Sequence, residues 1–239
     1  MRKNILYLFF SVVIIITCIY LGYEAVRIHE LTGNGAVMSL STEKFERRQE
    51  SENSILVLGD SLAYGVGASS QDTSFAGRLA EHYRDSSITN KAEIGETVGS
   101  LKDTIDEKIT DKYEIIFIIV GGNDIMRMHI NIFNSANDIK PIVDTASQHA
   151  DKIVLVTTGN FNYVSLQPWI LKSVFNKRAD ILRQAALKLE ADYPSYSYID
   201  FYAASMDEEE YKSYEASDGY HLNDAGVNRL ITATLEYIE

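Results

Sequence analysis

Two short apolar runs, "ILVL" at 55–58 and "YEIIFIIV" at 113–120, constrain this chain more than any other feature: both are nearly unbroken and both end in glycine. A strand with one wet face alternates apolar and polar residues, whereas a continuous run is a strand covered on both faces. Such strands belong to parallel sheets, whose crossovers lay helices on either side. The intervening segments have helical spacing. "FAGRLAEHY" (75–83) and "VGSLKDTIDEKI" (98–109) are the first two, the second placing Val98, Leu101, Ile105 and Ile109 on one face. A short strand is expected within 88–94. Residues 138–150 read as a helix, with Pro141 acceptable only near its first turn. "KIVLVTT" (152–158) and "YSYIDF" (196–201) read as strands flanking a long amphipathic helix over 173–191. A closing helix over 223–238 takes Asn223 as its N-cap. The alternation predicts an α/β domain over 54–239, a parallel sheet with helices on both faces.

The N-terminus obeys another rule. "MRKNILYLFFSVVIIITCIYLGY" sets Arg2 and Lys3 ahead of an apolar run from Ile5 to about Gly22, and about 20 apolar residues span a bilayer core. Residues 1–22 are therefore expected to be a transmembrane signal anchor. The basic pair marks the cytoplasmic end, which puts the remainder outside. No small-x-small cleavage site follows the run. An alternative is "IITC" (15–18), a loose lipobox that would make Cys18 a lipidation site, although Thr17 and the apolar residues beyond it fit that motif poorly. Residues 23–53 are mixed and mostly polar and are expected to be a tether, with 24–30 able to prolong the membrane helix.

A net charge of −12 argues against nucleic acid as a partner, since phosphate binding needs clustered Lys and Arg. The single cysteine allows no internal disulfide. There is no internal repeat, and nothing sets an oligomeric state.

Ligands of doubly wound sheets gather beyond the carboxyl ends of the strands. Ser61, in "GDSL", follows the first strand, and Asn123, in "GGND", follows the 113–120 strand. Alone, Gly-Asp-Ser is ordinary turn chemistry. A nucleophilic serine also needs a base, a group that orients the base, and donors for an oxyanion. Of five histidines, His29 falls in the tether, His82 and His149 on helix surfaces, and His129 has no local carboxylate partner. His221 lies in "SDGYHLNDAG", three residues after Asp218, a spacing at which a carboxylate in a turn can reach the imidazole Nδ1.

Taken together, "GDSL" (59–62), "NKAEIGET" (90–97), "GGND" (121–124) and "DGYH" (218–221) resemble the four blocks of the SGNH/GDSL hydrolases, in order and across essentially all of 54–239. The resemblance implies a flavodoxin-like three-layer α/β/α sandwich and a serine esterase needing no metal or cofactor. It implies Ser61 as nucleophile, His221 as base and Asp218 as its orienting partner. The oxyanion donors would be the backbone N–H groups of Ser61 and Gly95 and the side-chain amide of Asn123. Asp60 and Asp124 are read as structural. Leu222 stands where many members carry Pro, and Lys91 and Glu93 depart from a plainer second block.

The expected activity is cleavage of an acyl ester outside the cytoplasm, with acetyl groups on an envelope carbohydrate as the leading substrate. Lysophospholipid or thioester cleavage, O-acyl transfer and a non-catalytic binding module are the alternatives. "GVGASS" (65–70) lacks the third glycine of a dinucleotide loop, and a metal site from Asp218, His221 and Asp224 would lack convergent ligands. The 159–175 loop, with Phe161, Tyr163, Trp169 and Phe175, could cover an acyl chain, stack on a sugar or simply pack on the domain.

Overall fold

The computed structural model describes residues 2–51, 53–157, 159–201 and 207–238, and of Arg2, Lys3 and Ile5 the backbone alone. Met1, Glu52, Thr158 and the side chains of the basic pair, each part of an expected segment, lie outside the described residues. A long helix, α1 (Arg2–Ser41), precedes strand β1 (Ser54–Gly59). With β2 (Ser87–Asn90), β3 (Tyr113–Ile119), β4 (Ala150–Val156) and β5 (Tyr196–Ile199), β1 forms one parallel sheet in the order β2-β1-β3-β4-β5. Between and after the strands run α2 (Ser61–Tyr64), α3 (Phe75–His82), α4 (Val98–Lys108), α5 (Gly122–Met126), α6 (Ile132–Ser147), α7 (Lys172–Leu189), α8 (Glu208–Ser213) and α9 (Asp224–Ile238).

Alternate residues of the apolar runs feed two cores. Leu56, Leu58, Ile116, Ile118, Ile153 and Leu155 pack with Leu101 of α4, Ile139 of α6 and Leu182 of α7. Ile55, Val57, Ile115, Phe117 and Val154 pack on the other face with Phe75 and Leu79 of α3 and Leu230 of α9. Burying each such side chain is worth about 1.5–3 kcal/mol, which is why these strands carry no polar face. The chain moves outward from β1 in both directions, to β2 on one side and β3 on the other. The crevice between the ends of β1 and β3, where Gly59 pairs with Ile119, is thus the switch point at which such folds bind ligands.

Helix α6 begins at Ile132, earlier than its spacing suggested, because the Asn131 side chain accepts the Phe133 N–H (3.1 Å) and caps it. Pro141 therefore lies in the helix interior instead of its first turn. Such a proline costs about 3 kcal/mol, offset here by buried Ile132, Ile139, Ile142, Val143 and Ala146.

Helix α1 also outruns its expected length. It continues past Gly22 to Ser41 without a break, and Leu6–Ser41 is long and apolar enough, by length and composition, to cross a membrane. Large apolar side chains from Leu6 to Ile19 stand exposed. From Tyr20 onward a stripe at helical spacing, through Glu24, Arg27, Leu31, Asn34, Gly35 and Met38, is half-buried or buried against the domain. Beyond the helix, Arg47 makes an antiparallel bridge to Ile88 (N–O 2.8 and 3.0 Å). Its guanidinium donates to the carbonyls of Ala80, Tyr83 and Ser86. The polar 23–53 stretch is accordingly laid along the domain, and it covers the edge of β2 that would otherwise offer unpaired backbone groups.

Candidate active site

Ser61 opens a one-turn helix. The preceding Asp60 has extended backbone and its carboxylate accepts the Leu62 N–H (3.1 Å), which caps the turn and leaves the Ser61 N–H, a first-turn donor, without an acceptor among the described residues. Burial raises the Asp60 carboxyl to about 7, against the opposing pull of the Leu62 N–H and the nearby His221, with Asp124 and Glu96 adding to the rise.

The loop before α9 brings the imidazole to Ser61. Asp218 is 2% exposed; its Oδ1 accepts the N–H groups of Tyr220 and His221, both at 3.0 Å, and the turn so formed aims the ring. The other oxygen, Oδ2, lies 2.5 Å from His221 Nδ1, and His221 Nε2 lies 2.7 Å from Ser61 Oγ. With a carboxylate facing Nδ1, the proton belongs on that nitrogen and Nε2 is left to accept from the serine hydroxyl. Burial works to raise the Asp218 carboxyl, but the His221 hydrogen bond and charge and the two backbone N–H groups outweigh it and hold the group below its ordinary value. Close approach of this loop requires Gly67, whose φ is +100° and where a Cβ would stand 2.3 Å from the Leu222 carbonyl oxygen.

Gly95 and Asn123 lie on the β1/β3 rim by a different route. Gly95 sits in the 93–96 turn with φ +85°, and its N–H meets no acceptor among the described residues. The turn is pinned to the end of β1 by the Glu93 N–H donating to the Gly59 carbonyl (2.9 Å). Asn123 Nδ2 donates to the Glu96 carbonyl (3.0 Å). That bond fixes which end of the amide is nitrogen and leaves its second hydrogen unspent. Ser61, His221 and Asp218 are thus joined in one hydrogen-bonded chain; Gly95 and Asn123 are joined to each other's segment.

Several groups support the site, and Lys108 and Arg178 among them had no signal in the sequence. The buried Lys108 ammonium sits 2.5 Å from Glu96 and 3.0 Å from Glu93, directly behind the Gly95 turn. Burial raises the Glu96 carboxyl even with Lys108 opposing it. Lys91 donates to the Lys108 carbonyl (2.7 Å), so both departures in the second block, Lys91 and Glu93, converge on this one lysine. Asp124, fully buried, accepts the Val98 N–H (3.0 Å) and the Ser135 hydroxyl (2.6 Å), tying the "GGND" turn to α4 and α6. Arg178 donates to the carbonyls of Asp124, Ile125, Arg127 and Ile130.

A cavity of about 60 Å³ opens beside Ser61 and His221, walled by Val156, Phe161, Val164, Phe201, Tyr220 and Leu222. Of the loop aromatics, Phe161 lines this cavity, Phe175 joins the core, Tyr163 packs on Tyr211 and Trp169 points away to the outside. Two other histidines are engaged elsewhere: His149 Nδ1 pairs with the Asp111 carbonyl (3.2 Å), and His82 packs on Tyr83. Asp224 turns to Ser69, accepting its N–H (2.8 Å) and hydroxyl (2.5 Å).

Residues 57–229 match the model of the GDSL-like lipase/acylhydrolase family. No curated protein matches the chain in sequence. Among solved structures, an acetylxylan esterase, Axe2, from Geobacillus stearothermophilus is similar at TM-score 0.59 and 19% identity, over 79% of this chain and 94% of that one. A member of the lipolytic G-D-S-L family from Veillonella parvula aligns at TM-score 0.63 and 17% identity, over 77% and 97%. TesA aligns at TM-score 0.59 and 15% identity, over 78% and 98%. At these identities the likeness is one of fold.

Proposed function

The chain belongs to the GDSL-like lipase/acylhydrolase family and is an acyl-ester hydrolase, and from that premise we propose that it is a membrane-anchored, extracytoplasmic serine esterase working through Ser61, His221 and Asp218. The observation that carries the reading is the unbroken chain from Asp218 Oδ2 to His221 Nδ1 (2.5 Å) and from His221 Nε2 to Ser61 Oγ (2.7 Å) at the switch point of the sheet. In this mechanism Ser61 Oγ attacks the ester carbonyl carbon while its proton passes to His221 Nε2. The negative charge that develops on the carbonyl oxygen is met by the N–H groups of Ser61 and Gly95 and the free hydrogen of the Asn123 amide. The C–O bond then breaks, His221 returns the proton to the leaving alcohol, and water repeats the sequence on the acyl-serine. Asp218, held ionised, stabilises the imidazolium in both halves.

The substrate is a short acyl ester, with an acetyl group on an envelope carbohydrate the foremost case. A small apolar-walled cavity of about 60 Å³ beside the nucleophile supports this. The anchor and its orientation rest on the exposed apolar length of α1 and on Arg2 and Lys3 before it.

The test is hydrolysis of p-nitrophenyl esters from acetate to decanoate by the full chain in phosphatidylcholine vesicles, beside Ser61→Ala. Activity greatest on acetate and butyrate, with a loss of about 10⁴-fold or more in the variant, is expected. Equal rates in the two proteins would remove Ser61 from the mechanism. A preference for decanoate would move the assignment to lysophospholipase or thioesterase chemistry.

A further inference from the structure

The hydrolase domain meets α1 along a ladder of contacts whose chemistry changes with height. At the lowest level the Trp169 ring packs edge-on against Tyr20, with centroids 6.0 Å apart. About two turns higher, Arg27, paired with Glu24 at 2.6 Å, donates to the carbonyls of Ser165 and Gln167. Higher again, Leu31 lies beside Gly219 and the Asn34 amide donates to the Ser217 carbonyl (2.9 Å). At the top, Gly35 sits against Asp218 itself, where a Cβ would be 3.1 Å from Oδ2. The same loop that is polar at Ser165 and Gln167 ends in a tip, Trp169 and Ile170, that is 62% and 52% exposed.

A bilayer has this order of polarity. About 20 residues cross its core, so a span that starts at Leu6 ends near Tyr23 to Ala25. Tyr20 and Tyr23 then fall where aromatic side chains collect at the lipid–water boundary. We propose that Trp169 and Ile170 are seated in that boundary beside them, so that the domain stands on the membrane along α1 and does not swing from it; this rests on the reading of α1 as a membrane anchor. A second protein is a poor occupant for the tip, because two side chains fall far short of the roughly 800 Å² per partner of a stable interface. Anionic attraction is also a poor cause, since the chain carries a net charge of −12.

The seat sets the height of the chemistry. Gly35 is 10 to 12 residues beyond the end of that span at Tyr23 to Ala25, about 15–18 Å along the helix at 1.5 Å per residue. Asp218, His221 and Ser61 are therefore held roughly 15 Å above the hydrocarbon edge, beyond the layer of lipid headgroups. Esters of membrane lipids lie at the foot of that layer, out of reach. The substrates selected are acyl groups displayed about 15 Å beyond the hydrocarbon edge, as on a carbohydrate chain.

Trp169 is the single tryptophan of the chain, so intrinsic fluorescence reports on this tip alone. The full chain in phosphatidylcholine vesicles is expected to emit blue-shifted light, quenched more by lipids brominated high on the acyl chain than by lipids brominated near its end. Ile170→Asp is expected to shift the emission to the red and admit acrylamide, with turnover of a soluble acetyl ester unchanged. Acrylamide access in the parent protein, or protection from acrylamide without quenching by any brominated lipid, overturns the seat. Failure to float with the vesicles overturns the anchor instead. For the height, a fluorogenic acetyl ester is tethered to a lipid by either no spacer or a hydrophilic spacer of about 15 Å, and about a tenfold preference for the spaced form is expected. Equal or reversed rates overturn the selection, whereas inactivity on the soluble ester overturns the esterase reading from which it starts.

Discussion

On one side of Ser61 the imidazole of His221 is positioned through side chains: a carboxylate that takes two N–H groups of its own turn, and a helix from the far N-terminus packed behind that carboxylate at Gly35. On the other side Gly95 and Asn123 are positioned through backbone carbonyls and N–H groups, with a buried Lys108–Glu96 pair and Arg178 beneath them. The difference follows from what each side must do. A base has to change charge and keep its orientation, so it needs an ionised partner close by. Oxyanion donors must not move at all, so they are built into turns pinned by backbone hydrogen bonds such as Glu93 N–H to the Gly59 carbonyl.

The base side should therefore fail catalytically and not structurally. Asp218→Asn is expected to lower kcat on a soluble acetyl ester by about 10⁴-fold, because an amide at this position bonds the wrong tautomer of the ring. Circular dichroism should be unchanged, since the asparagine Oδ1 can still accept from Tyr220 and His221. A loss below tenfold would mean that the turn alone, and not the carboxylate charge, positions the base.

The opposite side should fail structurally as well. Lys108 and Glu96 are both buried, with side chains 8% and 3% exposed. Lys108→Met leaves the Glu96 carboxylate without its counterion, and a loss of about 3–5 kcal/mol in unfolding free energy is expected. Adding Glu96→Gln should recover much of it, because the neutral pair no longer buries a lone charge. If the single variant is as stable as the parent, the pair is not what holds the Gly95 turn.

Asn123→Ala separates support from chemistry on that same side. One oxyanion donor is worth about 10²–10³ in kcat, and the expected loss is in kcat with KM little changed. Equal effects on both would mean that the amide binds the ground state as firmly as the transition state.

Two of the four motif blocks, "GDSL" and "GGND", were readable in sequence because each follows a strand end announced by an apolar run stopping at glycine. That logic places Ser61 and Asn123 on one rim, and the Asp-x-x-His spacing singles out His221. Lys108 could not be found this way. It shares the inward face of α4 with Val98, Leu101 and Ile105, where a lysine interrupts the apolar period, and its partners Glu93 and Glu96 are twelve or more residues away in an irregular turn. The outer half of α1 was hidden for a related reason. Its docking stripe mixes Tyr20, Glu24, Arg27, Leu31, Asn34 and Gly35, a polar face matched to loop carbonyls, which an apolar period does not detect. The start of α6 was masked by Pro141, whose cost only the buried face of the finished fold makes tolerable.

Asp60 stands between the two sides and gives the smallest effect, with a sign that sets it apart from Asp218. Its carboxyl is raised to about 7 by burial, so the folded protein binds that proton more tightly than the unfolded chain does. Stability from this group is full below the unfolded carboxylate range and is lost as pH rises toward 7. For Asp218, whose folded value is depressed, stability is present above the unfolded value and is lost as pH falls. Asp60→Asn keeps an oxygen to accept the Leu62 N–H but carries no proton to lose. The Tm of the variant should approach that of the parent below about pH 4 and exceed it by a few degrees, about 2–4 °C per kcal/mol, near pH 8. A gap that does not change with pH would show that Asp60 is ionised throughout. The like charges of Asp124 and Glu96 would then have to be answered by His221, and the two sides of the site would be coupled through this one carboxylate.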